Sequence, residues 1–166
     1  MQGGISSMDA AQLKAIVEFF MEIPIFCRMN PEEVKVVARH MTVVELKAGE
    51  TLFNEFEEGN FMCFISVGVL EVIKQSGTAG QNVMISTLGK GKSIGEMSVI
   101  ESLPRSATIK AKADSELYIL SKPAFEMILG RHSAIGIKLL KGIAILLSNN
   151  LRKTSSRLAD YMMPIS

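Results

Sequence analysis

The chain has 166 residues, enough for one domain with a sizeable core. Its hydrophobic content of 48% excludes intrinsic disorder, and a formal net charge of +1 gives no reason to expect a nucleic-acid or anionic-membrane surface. The two cysteines, Cys27 and Cys63, form no CxxC pair, so the chain suits a reducing, cytoplasmic compartment.

The first residues, Met1 to Ser7, lack the basic start of a signal peptide and read as a flexible tail, drawn at 1–8. Residues 9–166 read as one unit. Ala10 to Met21 is predicted as a helix, with Asp9 as N-cap and Leu13, Ile16, Val17 and Phe20 on one face. Pro24 ends it. Asn30-Pro31-Glu32-Glu33 repeats the pattern with a cap, a proline at the first helical position and acids in the first turn. A second helix therefore runs to about His40.

From residue 41 to 121 the pattern changes to period two or to short apolar runs. Strands are predicted at Met41–Leu46, Thr51–Asn54, Phe61–Val67, Val69–Gln75, Asn82–Leu88, Ser93–Ile94, Ser106–Ala111 and Glu116–Leu120. Turn residues separate them, among them Ser76-Gly77-Thr78-Ala79-Gly80. Short strands at this spacing predict a mainly β protein with flanking helices, folded as an antiparallel sandwich or jelly roll.

Within the roll, residues 94–109 carry the chemistry. Gly95 lets a ligand approach the backbone, because no side chain stands in the way. Glu96 to Ser102 makes a short helix that Pro104 stops. A helix start suits an anion, and Arg105 offers a planar fork for two phosphate oxygens. Ser106 and Ala107 are small enough for their own N–H groups to reach that anion. Glu96 would repel a phosphate, but it accepts hydrogen bonds from a sugar hydroxyl beside one. The ordered set reads as a site for a single ribose phosphate. Each residue alone reads more simply as part of an ion pair across a turn.

Ile94-Gly95-Glu96-Met97-Ser98-Val99-Ile100 and Leu103-Pro104-Arg105-Ser106-Ala107-Thr108-Ile109 together resemble the phosphate-binding cassette of the cyclic nucleotide-binding domain family. The likeness extends from about Leu13 to Tyr161 and implies that family's β roll, with helices at both ends. It implies a cyclic nucleotide ligand, cAMP or as an alternative cGMP, with no other cofactor and no catalysis. Ile94, Gly95, Glu96, Met97, Ser98, Arg105, Ser106 and Ala107 become ligand-binding candidates. One departure concerns a turn: Phe56 stands where the family commonly has a glycine.

Residues 122–163 read as helical. Lys122 to Leu129 is predicted as a short helix capped by Gly130. From about Ser133 a long helix follows, in which Leu140, Ala144, Leu147, Leu151, Thr154, Leu158 and Tyr161 make a heptad seam for a partner helix. A homodimer along this helix is the expectation, with the chain's own roll as the alternative partner. The apolar stretch Ala134 to Leu147, interrupted by Lys138 and Lys141, falls short of a membrane span. Leu151-Arg152-Lys153-Thr154-Ser155 is similar to the base-contacting part of this helix in bacterial transcription regulators of the family. That likeness makes Thr154 and Ser155 candidates for meeting the base, one from each subunit. No DNA-reading segment is expected with this domain, and the sequence names no downstream effector.

Competing motifs fall away. Gly91-Lys92-Ser93 imitates a triphosphate loop, but Ser86 stands where its first glycine belongs. Only His40 and His132 are present, too few for a cupin-type metal centre. A ligand-free docking module and a small jelly-roll enzyme remain as rival readings.

Overall fold

A computed structural model describes residues 3–4, 9–75 and 81–162. The predicted turn at 76–80 lies outside the described residues. The chain opens with β1 (Gly3–Gly4), inside the stretch expected as a tail, then α1 (Ala10–Met21), a 3-10 turn (Pro24–Phe26) and α2 (Pro31–Ala38). Both helices start at reciprocal caps. Gln12 N–H donates to Asp9 Oδ1 at 2.8 Å, and Glu33 N–H donates to Asn30 Oδ1 at 2.9 Å. In each case the third helical side chain accepts in return from the cap's N–H.

The strands are β2 (Thr42–Leu46), β3 (Thr51–Phe53), β4 (Phe61–Val67), β5 (Val69–Gln75), β6 (Asn82–Gly89), β7 (Ser93–Ile94), β8 (Thr108–Ala111) and β9 (Ser115–Ser121). They form two antiparallel sheets, ordered β1-β2-β9-β4-β7 and β3-β8-β5-β6. This is the expected jelly roll. β4 explains why its sequence is an apolar run rather than an alternation. Cys63 and Ile65 point into the roll with Leu70, Ile109 and Leu117, while Met62 and Phe64 face the helices. Both faces of the strand are therefore buried.

The short helix α3 (Glu96–Glu101) lies between β7 and β8, and α4 (Lys122–Arg131) and α5 (Ser133–Tyr161) close the chain. Several boundaries shift by a residue or two, and two of the differences bear on the argument. Ser106 and Ala107 precede β8 rather than belong to it. Gly130 lies inside α4, whose C-cap is His132; a glycine on an open surface weakens a helix without ending it.

α5 docks through its first half. Gly136, Leu139, Gly142 and Ile143 are buried, and residues 148–162 are all exposed. A Cβ on Gly142 would stand 2.0 Å from the carbonyl oxygen of Ile25, so the helix backbone lies directly on the 3-10 turn. Lys138 Nζ meets both carboxylate oxygens of Glu33 at 2.7 Å, tying α5 to α2. By length and composition α5 is apolar enough to cross a membrane, contrary to expectation. Here Leu139 and Ile143 are spent on the core.

Candidate ligand-binding site

Arg105 is the centre of the site. Its backbone is gripped on both sides by the turn at 54–57: Arg105 N–H donates to the Glu57 carbonyl at 2.8 Å, and Phe56 N–H donates to the Arg105 carbonyl at 2.9 Å. Asn54 locks that turn by donating from its backbone and side chain to the Glu57 carboxylate, at 2.9 and 2.6 Å. These bonds hold the Glu57 carboxyl below its usual range, the side-chain bond from Asn54 contributing most.

Phe56 itself sits at φ 71°, in the left-handed region, with its ring 68% exposed. The turn thus keeps a conformation suited to glycine although a phenylalanine occupies it. The departure visible in the sequence leaves the Arg105 grip intact.

The Arg105 side chain is 2% exposed. Its guanidinium carbon lies 4.0 Å from the ring centroid of Phe53 and 4.4 Å from that of Phe61. An aromatic ring on a desolvated cation contributes about 2 kcal/mol, and the two rings together hold the guanidinium in place. Nη1 makes a long contact of 3.4 Å to the Gly95 carbonyl, whereas Nε and Nη2 are buried with no partner. Burial pushes the guanidinium's pKa down from its ordinary value, against the attraction of nearby acidic groups.

Glu96 is 8% exposed and opens α3 directly after Gly95, which sits at φ 83°. Its Oε2 is likewise buried without a partner. Burial raises the carboxyl's pKa, and the Arg105 charge only partly offsets this. Glu96 and Arg105 form no ion pair with each other among the described residues. The simple reading of a salt bridge across a turn therefore does not describe them. A buried, unpaired cation and anion cost several kcal/mol unless something else satisfies them.

Both line a cavity of about 630 Å³ between the roll and α5. Ile94, Gly95, Met97, Ser98, Ser106, Ala107 and Thr154 line it too, but Ser155 does not. One residue along a helix turns the side chain by about 100°, so Ser155 faces away from its own chain's cavity. Ser98 is buried where the 57–60 loop meets α3, and a Cβ on Gly59 would stand 2.1 Å from its Cβ.

Several lining residues escaped the sequence reading. Phe53 comes from β3, and Ser86, Thr87 and Leu88 from β6; nothing local marks them. Asn150, Leu146 and Arg157 were within reach, because steps of three and four from Thr154 trace one helix face. Among the described residues no group of three His, Cys, Asp or Glu is placed to hold a metal. Cys63, buried behind the site, has its thiol pushed up to about 12 by burial and stays protonated.

The cyclic nucleotide-binding domain model matches residues 43–132, more than half of the chain, and the chain belongs to that family. Its fold is similar to a cyclic nucleotide-binding domain from Methylobacillus flagellatus, with TM-score 0.84 and 27% identity, covering 98% of this chain and 89% of that one. The catabolite activator protein of Thermus thermophilus gives TM-score 0.73 and 25% identity over 82% of this chain and 62% of that one. A cAMP-dependent protein kinase regulatory subunit from Yarrowia lipolytica is 30% identical over 112 residues, 68% of this chain and 29% of that protein. The chain thus spans less than a third of that curated relative.

Proposed function

We propose that the protein is a non-catalytic sensor in the cytoplasm that binds a cyclic mononucleotide, cAMP before cGMP. One observation carries the reading: Arg105 and Glu96, both buried on one cavity, hold three polar atoms without partners. A cyclic phosphate supplies the oxygens that Arg105 Nε and Nη2 lack, and the adjacent ribose 2′-hydroxyl supplies the proton that Glu96 Oε2 lacks. Gly95, Ser106 and Ala107 offer backbone at the same place. Ile94, Met97 and Ser98 complete the wall.

Thr154 meets the base from α5. Ser155 does so from the α5 of a second copy, in a homodimer along the helix seam. The preference for cAMP is supported by the relative named as a cAMP-dependent regulatory subunit. The signal is a change in how α5 lies against the roll, since a ligand wedged between them favours one arrangement only by binding it better. An effector protein then reads α5.

Calorimetry with cAMP and cGMP on the parent and on Arg105→Ala tests this. The variant loses about 2–5 kcal/mol of binding, because a phosphate is left buried without its cation. Equal affinity in the two proteins overturns the site. A preference for cGMP overturns the choice of base.

A further inference from the structure

Arg105 and Glu96 account for one ribose phosphate, yet they are not the only charges on the cavity. Lys92, from the turn before β7, and Lys153 and Arg157, from α5, also line it. Lys153 and Arg157 are four residues apart, so they share one face of the helix a single turn from each other. None of the three is in an ion pair among the described residues. Glu96 is the single carboxylate in the lining, and it lies next to Gly95 in the cassette.

A cyclic mononucleotide carries one negative charge, and Arg105 alone matches it. Three further exposed cations around a half-open, partly apolar space raise the local potential, and no ion pair engages them among the described residues. The volume of about 630 Å³ lies mid-range for cavities that hold ligands of drug size, ~300–1,000 Å³.

We propose that the cavity, beyond a mononucleotide, also takes a cyclic dinucleotide, with one ribose phosphate on Arg105 and Glu96 and the second phosphodiester held by Lys153, Arg157 and Lys92. The inference rests on reading Arg105 and Glu96 as the ribose-phosphate subsite. The chemistry is compatible with that subsite. Each ribose of a 3′,5′-linked cyclic dinucleotide keeps a 2′-hydroxyl beside a singly charged phosphodiester, the same donor and anion that Glu96 and Arg105 lack. The two residues therefore do not separate mono- from dinucleotides. The three outer cations do.

The test is calorimetry on the whole chain with cAMP, cGMP, cyclic di-AMP and cyclic di-GMP. At least one dinucleotide binds about ten-fold or more tightly than its mononucleotide, a difference of about 1.4 kcal/mol. In the double variant Lys153→Ala, Arg157→Ala that advantage shrinks to about two-fold or less, and added salt erodes it in the parent. Both side chains are exposed on the undocked half of α5, so the variant keeps its fold.

Dinucleotides that bind no tighter than mononucleotides overturn the proposal, as does an advantage that survives the double substitution. A preference for cGMP over cAMP that disappears with Arg157→Ala assigns that cation to the guanine edge and also overturns it. If mononucleotides bind through Arg105 without any dinucleotide gain, only the second subsite is lost. Absence of heat with all four compounds removes both readings.

Discussion

A Cβ atom on Gly95 would stand 2.5 Å from Nη1 of Arg105. The guanidinium occupies the space that any other residue would fill with its side chain. The same Cβ would come within 2.9 Å of the Phe61 carbonyl oxygen, and φ 83° is costly for an L residue. Gly95→Ala therefore displaces the fork from the corner formed by Phe53 and Phe61. Nucleotide affinity falls by about ten-fold or more, equal to about 1.4 kcal/mol. Titration calorimetry measures it, and unchanged affinity refutes the packing argument.

Phe56 holds a left-handed conformation that costs a non-glycine residue roughly 1–2 kcal/mol. Its exposed ring recovers little of that through burial. Phe56→Gly removes the strain and adds chain entropy to the unfolded state, for a net gain of up to about 1 kcal/mol. For a chain of this length that raises Tm by about 2–4 °C. Phe56→Pro has the opposite result, because proline cannot adopt φ 71° and has no N–H for the Arg105 carbonyl. Thermal melts of the two variants should move in opposite directions.

Glu96 sets binding against stability. Burial raises its carboxyl's pKa in the folded chain, so the folded state holds that proton to higher pH than the unfolded state. Stability of the ligand-free protein therefore falls as pH rises from the ordinary carboxylate range through the raised value. Glu96→Gln removes this slope and stabilises the ligand-free protein by about 1 kcal/mol, while nucleotide affinity drops. A Tm series across that pH window, with and without cAMP, reads both effects. A variant whose slope matches the parent's would show that Glu96 is not the titrating group.

Two helical glycines should respond in opposite senses to alanine. Nothing lies within 4 Å of a Cβ on Gly130, so Gly130→Ala gains helix propensity of about 0.5–1 kcal/mol. At Gly142 the added methyl meets the Ile25 carbonyl, and overpacking costs about 1–3 kcal/mol. Denaturant midpoints of the two variants should fall on either side of the parent.

Local chemistry made much of the fold legible. Asp9 with Gln12 and Asn30 with Glu33 announce helix starts because each cap is satisfied within three residues. Gly95, Glu96 and Arg105 are readable because a short cassette must keep them close in sequence. Gly130 misled because a glycine near a helix end looks like a terminator, and only the helix's continuation to Arg131 shows otherwise. The meeting of Arg105 with the adjoining rings of Phe53 and Phe61 is not legible at all. It exists only once β3, β4 and the cassette have come together, and no spacing along the chain encodes that meeting.

The contact between Gly142 and Ile25 also limits how the last helix can travel. An axial shift by one turn, about 5.4 Å, would bring Lys138 or Leu146 over the Ile25 carbonyl, where a Cβ has no room. Leu139 and Ile143, buried on either side of the glycine, and the Lys138–Glu33 bridge hold the same stretch in place, so this end of the helix is the anchored one. Any tilt of the exposed half against that anchorage would grow with distance along the helix and be largest where Lys153 and Arg157 stand.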